Sequence, residues 1–157
     1  AILLAALAAR EASASPEDVF SYGARSSALA GTGTAWAEGF EGPGLGAEFL
    51  GNNSNPAIGD WTTRSRIVEF DPPRVFAWAV GDPAAPAALW RFELVPATDG
   101  TRLRYAARIG PGKSGVTMLI DRAPDRATEI VARRLRQFLA GMETTVAGIK
   151  KLAESGS

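Results

Sequence analysis

The sequence predicts an α+β fold in which an antiparallel sheet lies against one long C-terminal helix. Between residues 33 and 109, apolar and polar residues alternate in short runs that turn sequences separate, which is typical of a sheet of hairpins. At residues 124–151, apolar residues instead recur at spacings of three and four, which is typical of an amphipathic helix. A long helix with one apolar face needs a wide apolar surface to lie against, and the preceding strands provide one.

The composition limits the chemistry that the chain can perform. Its 157 residues include no cysteine and no histidine, and the formal net charge is zero. Disulfides, thiolate nucleophiles, Cys/His zinc sites, histidine-held iron and Ser-His-Asp triads are therefore excluded. Acid–base chemistry must use carboxylates, Tyr, Lys, Arg or bound water, and we expect neither a metal site nor a cofactor. The balanced charge gives no sign of a nucleic-acid partner.

The length is that of one domain, and we expect residues 1–157 to form it. Residues 2–9 are apolar but much shorter than the roughly 20 residues of a membrane span. The sequence ASA at 12–14 resembles the end of a signal peptide, yet no basic segment precedes it. We therefore expect no stable membrane insertion and a cytoplasmic location.

The first half of the chain predicts two short helices and then strands. Ser15 suits a helix N-cap, Pro16 the first helical position, and Asp18 lies three residues after the cap. The Ala- and Ser-rich run that follows, up to Ala30, predicts a second short helix that Gly31 ends. Alternating segments then predict strands at Trp36 to Phe40, 46–52, 61–70, 75–80, 87–94 and 101–109.

The predicted long helix carries its charges where the helix dipole favours them. Pro124 suits the first turn, Asp125 and Glu129 lie near the positive end, and Lys150 and Lys151 lie near the other end. The apolar stripe that should face the sheet consists of Val131, Leu135, Phe138, Met142, Val146 and Ile149. The polar residues that fall mostly off this stripe are Arg133, Arg134, Arg136, Gln137 and Glu143.

Aromatic residues are the main candidates for a ligand site. At alternate strand positions many of them could face the helix, where they would either fill a core or line an apolar pocket. Aromatic walls with few charges favour uncharged planar or isoprenoid ligands over sugars or phosphates. The predicted ligand-binding residues are Trp36, Phe49, Trp61, Phe76, Trp78, Trp90, Phe92 and Tyr105, with Phe138 and Met142 from the helix.

Polar residues that could act in catalysis are few. Tyr105, Asn53 and Thr63 lie on or beside the predicted pocket strands, and Tyr105 is the best inward polar group. A buried tyrosine hydroxyl is, however, more often paired for structural reasons than used as an acid. Strict alternation puts Arg91 and Glu93 on the outer face, where they form a solvated pair.

The segment GPGKS at 110–114 resembles the end of a phosphate-binding loop, but it does not fit one. The first glycine of that motif would fall at Ala107, and the preceding strand belongs to a hairpin rather than a βαβ unit. We expect a mobile loop at the mouth of the pocket instead.

Several short segments are weak markers singly but specific in their order and spacing. They are ASPEDVF at 14–20, GAEFLGNN at 46–53, Trp61, VEFDPP at 68–73, FAW at 76–78, WRF at 90–92, GTRL at 100–103, IVARRL at 130–135 and GIKKL at 148–152. From residue 12 onwards they resemble the polyketide cyclase/dehydrase and lipid-transport proteins of the START-related, birch-pollen-allergen-like (SRPBCC) superfamily. The match is poorest at residues 1–9, where that family has its first strand.

The resemblance implies a helix-grip fold. In this fold a curved antiparallel sheet of about seven strands wraps around the long helix, two short helices follow the first strand, and a cavity lies between sheet and helix. Most of residues 2–12 would then form the first strand, although alanine favours a helix.

Three functions are compatible with this fold. The favoured one is binding or carriage of a small apolar or aromatic molecule, such as a lipid, polyketide or isoprenoid. The alternative is a cofactor-independent polyketide cyclase or dehydratase, in which Tyr105 with Asn53 or Thr63 would polarise a carbonyl or move a proton. The weakest is a protein-interaction module. A homodimer is compatible with all three.

Overall fold

The computed structural model describes residues 4–8, 35–38, 44–55, 59–98 and 100–155. In 4–8 and 35–38 the description covers the backbone alone. The two short helices predicted between residues 15 and 30 lie outside the described residues.

An antiparallel sheet is the largest element of the described chain. Seven strands follow one another in the order β1-β7-β6-β5-β4-β3-β2, so that the first strand lies beside the last. Together with a long C-terminal helix, this confirms the predicted α+β class. The strands are β1 Leu4–Ala8, β2 Ala35–Glu38, β3 Glu48–Asn55, β4 Gly59–Asp71, β5 Val75–Val80, β6 Ala88–Ala97 and β7 Gly100–Ile109.

The first strand forms against the helix preference of its alanines. Leu4–Ala8 pairs along its whole length with β7, and Leu7 lies opposite Tyr105. Strand formation depends on pairing with neighbouring strands more than on intrinsic preference, so the edge offered by β7 outweighs the alanines. The rest of the predicted strand, outside Leu4–Ala8, is not among the described residues.

One irregularity bends the middle of the sheet. The pairing of β4 with β5 shifts register between Ile67 and Glu69, which leaves Val68 as an extra residue on β4. A bulge of this kind bends its strand and increases the local twist.

The outer face of the sheet carries crossed ion pairs. Glu48 accepts hydrogen bonds from Arg64 and Arg66, while Arg91 bridges Glu69 and Glu93. Arg91 and Glu93 therefore lie on the outer face, as their alternation predicts. The paired side chains remain largely accessible to solvent, so each pair adds little to stability.

Two helices end the chain, and the sequence analysis predicts only one of them. Helix α1, Gly115–Arg122, begins at a capping box in which Ser114 and Thr117 exchange side-chain and backbone hydrogen bonds. Pro124–Arg126 then forms a short 3-10 turn, and helix α2 runs over Ala127–Ser155. The predicted start at Pro124 is therefore three residues before the observed start at Ala127, because Pro124 opens the 3-10 turn.

The loop before α1 is held in place by β6 and the turn that precedes it. Gly110 N–H donates to the carbonyl of Ala87, and Gly112 N–H donates to the carbonyl of Pro86, both at 2.9 Å. Gly112 lies so close to this turn that a Cβ atom there would meet the Ala85 carbonyl oxygen at 1.9 Å. The segment predicted as a mobile loop is therefore anchored by backbone contacts.

We expect Gly112→Ala to destabilise the protein by about 1–3 kcal/mol, since backbone must move to admit the methyl group. Gly115→Ala is the matched control, because a Cβ at Gly115 meets nothing within 4 Å and lies in the first turn of a helix. Urea unfolding of both variants measures the difference. Equal stability of the two would contradict the close approach at Gly112.

The predicted apolar stripe of α2 is the side that meets the sheet. Leu135, Phe138, Met142 and Ile149 are buried, and the ring centroid of Phe138 lies 4.6 Å from that of Trp90 on β6. Among the described residues, no helix is both long and apolar enough to cross a membrane.

Phe138→Ala should lower the free energy of unfolding by about 3–5 kcal/mol, because a buried ring would be lost from a packed contact. Phe138 is only 5% exposed. Denaturant unfolding measures the loss, with the exposed position Glu143→Ala as the control on the same helix. A loss as small as the control's would mean that Phe138 lines open space rather than a packed core.

Candidate functional site

The inner face of the central strands carries a group of aromatic rings that we call the aromatic cluster. Pairs of inward positions lie directly opposite each other on neighbouring strands, so their side chains leave the same face of the sheet. Trp78 lies opposite Trp90, Phe76 opposite Phe92, and Phe92 opposite Tyr105. The aromatic cluster consists of Phe76, Trp78, Trp90, Phe92 and Tyr105, with Phe138 contributed by α2.

The rings of the aromatic cluster meet face to face as well as at an angle. Trp78 and Trp90 are nearly parallel, with centroids 6.1 Å apart and planes 9° apart. Phe92 and Tyr105 lie closer, at 4.1 Å and 20°. Offset stacking of this kind stabilises the rings beyond the burial of their area.

The predicted ligand-binding residues divide between this cluster and its surroundings. Phe49 extends the cluster towards β3, with its centroid 6.4 Å from that of Trp78, and Met142 is fully buried on α2. Trp61 is only half-buried and lies at the β3–β4 end of the sheet. The backbone of Trp36 pairs with Asn52, and the Trp36 side chain is not among those described.

Asn53 and Thr63 form a separate polar pair on β3 and β4. Asn53 Nδ2 donates to the Gly51 carbonyl at 2.7 Å and to Thr63 Oγ1 at 3.4 Å. Three strand spacings, about 14 Å, separate β4 from β7, and Thr63 also lies several residues along β4 from Phe70, which the register places level with Tyr105. Thr63 and Tyr105 are therefore more than about 14 Å apart along the sheet. The structure therefore brings Asn53 and Thr63 together and holds Tyr105 apart from them. Only a long ligand could contact Tyr105 and this polar pair at the same time.

Tyr105 is the unusual member of the aromatic cluster. It is 0% exposed, and its hydroxyl finds no hydrogen-bond partner among the described residues. Burial raises the pKa of the Tyr105 phenol well above its ordinary value, so the group stays neutral and remains a hydrogen-bond donor. A buried hydroxyl without a partner carries a desolvation penalty that a polar ligand atom could relieve.

Arg134 is a candidate that the sequence analysis did not single out. Its guanidinium carbon lies 4.5 Å from the ring centroid of Phe138, and Nη1 donates to Gln137 at 3.2 Å. Burial lowers the pKa of Arg134 from its ordinary value. The residue lies four positions before Phe138, and this spacing brings two side chains onto one side of a helix. That spacing, together with the attraction of a cation to a ring face, was the signal available in the sequence.

Tyr105→Phe should raise the free energy of unfolding of the ligand-free protein by about 1 kcal/mol, because it removes a buried hydroxyl that lacks a partner. The ring stack with Phe92 would remain. Urea unfolding of delipidated protein measures the change, and Tyr105→Leu is the control that loses both ring and hydroxyl. A stability loss in Tyr105→Phe would show that the hydroxyl is bonded in solution.

A family model covers most of the chain. Residues 7–147 match the model of the family described as polyketide cyclase/dehydrase and lipid transport. No curated protein sequence matches the chain closely enough to count as a relative.

Solved structures share the fold over nearly the whole chain. The Polyketide_cyc-like protein Cgl2372 from Corynebacterium glutamicum is 25% identical, with a TM-score of 0.64 over 98% of this chain and 91% of that protein. The di-domain ARO/CYC protein BexL, from the BE-7585A biosynthetic pathway, has a TM-score of 0.65 at 16% identity, over 98% of this chain and 50% of BexL. Ara h 8.0201 has a TM-score of 0.59 at 12% identity, over 99% of each chain. The last two likenesses show the fold alone, which is helix-grip-like.

Proposed function

The chain belongs to the polyketide cyclase/dehydrase and lipid transport family, and we propose that it binds a small apolar or aromatic molecule between the sheet and α2. The observation that carries the proposal is the Tyr105 hydroxyl, which is buried without a partner among stacked aromatic rings. A core that served only for packing would gain stability from phenylalanine at this position. A ligand with one polar atom and a flat apolar body would satisfy the hydroxyl and cover the rings.

The chemistry of the site favours planar ligands. Tryptophan and tyrosine present a flat face together with one hydrogen-bonding atom. Five of the six rings in the aromatic cluster come from the neighbouring strands β5, β6 and β7, and three of these five are Trp78, Trp90 and Tyr105. A lipid, polyketide or isoprenoid-like molecule has the apolar body that such a surface binds.

A cytoplasmic location, a homodimer and a single ligand-binding domain over residues 1–157 stay predictions.

Polyketide cyclisation or dehydration is the second candidate, and the neutral phenol of Tyr105 favours it. A phenol with a raised pKa can donate a hydrogen bond to a substrate carbonyl and polarise it. The rings would hold a flexible chain in a folded geometry, which lowers the entropic part of the barrier. Asn53 and Thr63, at the other end of the inner face, would contact a different part of a long substrate.

Native mass spectrometry of protein purified from its own host should detect a retained apolar molecule.

The uncharged dye phenylnaphthylamine should bind the protein after that molecule has been removed. Binding should quench the tryptophan fluorescence by energy transfer to the dye, and the retained molecule should displace the dye. The double variant Met118→Ser/Leu119→Ser is the control, because these residues are 57% and 52% exposed on α1 and offer the dye an alternative surface. Loss of dye binding in this variant, or no binding by the wild type, would overturn the proposal and favour an interaction module.

Turnover separates carriage from catalysis. We expect Tyr105→Phe to bind a linear poly-β-ketone thioester more weakly than the wild type, because it lacks the hydroxyl that would contact the ligand, so turnover of the two proteins is compared at saturating thioester. If the protein is an enzyme, the wild type releases a cyclised or dehydrated product faster than buffer does and Tyr105→Phe does so much more slowly. Product formation at the same rate in both proteins would exclude Tyr105 from a catalytic role.

A further inference from the structure

The environment of Arg134 differs from that of the arginines that form ion pairs with carboxylates. On the outer face, Arg64 and Arg66 share Glu48. Arg126 pairs with Glu129 near the start of α2. Arg134, which is half-buried, has no carboxylate partner among the described residues. Its recorded contacts are a hydrogen bond to the neutral Gln137 and the face of the Phe138 ring.

Most of the N–H donors of Arg134 have no protein partner among the described residues and are available to a ligand. A guanidinium has five N–H donors in a planar fork, and Gln137 accepts from only one of its nitrogens. Removing a cation from water costs free energy that a ring face recovers only in part. A carboxylate recovers more, because it accepts two parallel hydrogen bonds and neutralises the charge. The lowered pKa of Arg134 agrees with this desolvation.

Arg134 is also continuous with the aromatic cluster. Its guanidinium lies over Phe138, the Phe138 ring lies 4.6 Å from Trp90, and Trp90 lies 5.5 Å from Tyr105. A ligand whose body covers these rings therefore has a cation at one end of them and the Tyr105 hydroxyl further along.

We infer that Arg134 binds an anionic group of the ligand, a carboxylate or an ionised phenol or enol, while the apolar body of the ligand lies on the aromatic cluster. The inference rests on the proposed function and narrows its ligand class from apolar molecules to anionic amphiphiles. It differs from the expectation of an uncharged ligand, which followed from the aromatic composition alone.

Two dyes of nearly the same shape separate charge recognition from apolar binding. Anilinonaphthalene sulfonate carries one negative charge, and phenylnaphthylamine is the same ring system without it. Arg134→Met keeps a long apolar side chain and removes the charge and the fork. Arg133→Met is the matched control, because it removes the same charge from an exposed neighbour on the same turn.

We expect Arg134→Met to raise the Kd of the sulfonate dye about tenfold or more, since a hydrogen bond to a charged group would be lost. Its Kd for the uncharged dye should not change, and Arg133→Met should leave both values as in the wild type. Arg134→Lys should recover part of the affinity, because an ammonium keeps the charge but not the planar fork.

Three results would overturn the inference. Equal weakening of both dyes in Arg134→Met would give Arg134 a packing role and leave the proposed function standing. Equal weakening of the sulfonate dye in Arg133→Met would assign the effect to the general charge of the helix. Failure of both dyes to bind the wild type would overturn the proposed function and the inference together.

Discussion

The structure depends on aromatic residues that face the same way from neighbouring central strands. β5, β6 and β7 are paired so that Trp78 lies opposite Trp90 and Phe92 opposite Tyr105. Because side chains alternate across a strand, a shift of one residue in either pairing would send these rings to the outer face, among the ion pairs. Burial of the rings therefore fixes the register of these strands. The same register sets which charged residues lie opposite each other on the outer face, and the buried rings are the surface against which α2 packs.

How much the sequence could predict follows from the kind of signal each element carries. β5 lies at Val75–Val80 as predicted, because turn sequences bound it on both sides. No local signal in the sequence predicts the Leu4–Ala8 strand, which forms by pairing with β7. Only the family resemblance implied a strand at this position. Helix α1 has only eight residues, so its apolar positions cover barely two turns, and its Ser114 cap is the clearest local signal.

The site was less predictable than the fold, because it depends on distances between strands that are far apart in the chain. Alternation identified Tyr105 as inward, but base rates for buried hydroxyls predicted a partner that the described residues do not provide. The separation of Tyr105 from Thr63 follows from strand order, which local patterns do not contain. Arg134 was missed because a strict apolar stripe excludes every charged residue, whereas a guanidinium can lie over a ring at its edge.

Tyr105 and Arg134 place two polar groups against the most apolar part of the described chain. The Tyr105 hydroxyl lowers the stability of the fold, since burial has removed water without supplying a partner, and Arg134 is partly desolvated over the Phe138 ring. A ligand that binds the folded state alone, and pairs with these groups, both recovers that free energy and stabilises the fold by mass action. Under the proposed function, a preference for a ligand with a polar end therefore follows from the stability that the unpaired Tyr105 hydroxyl costs the fold.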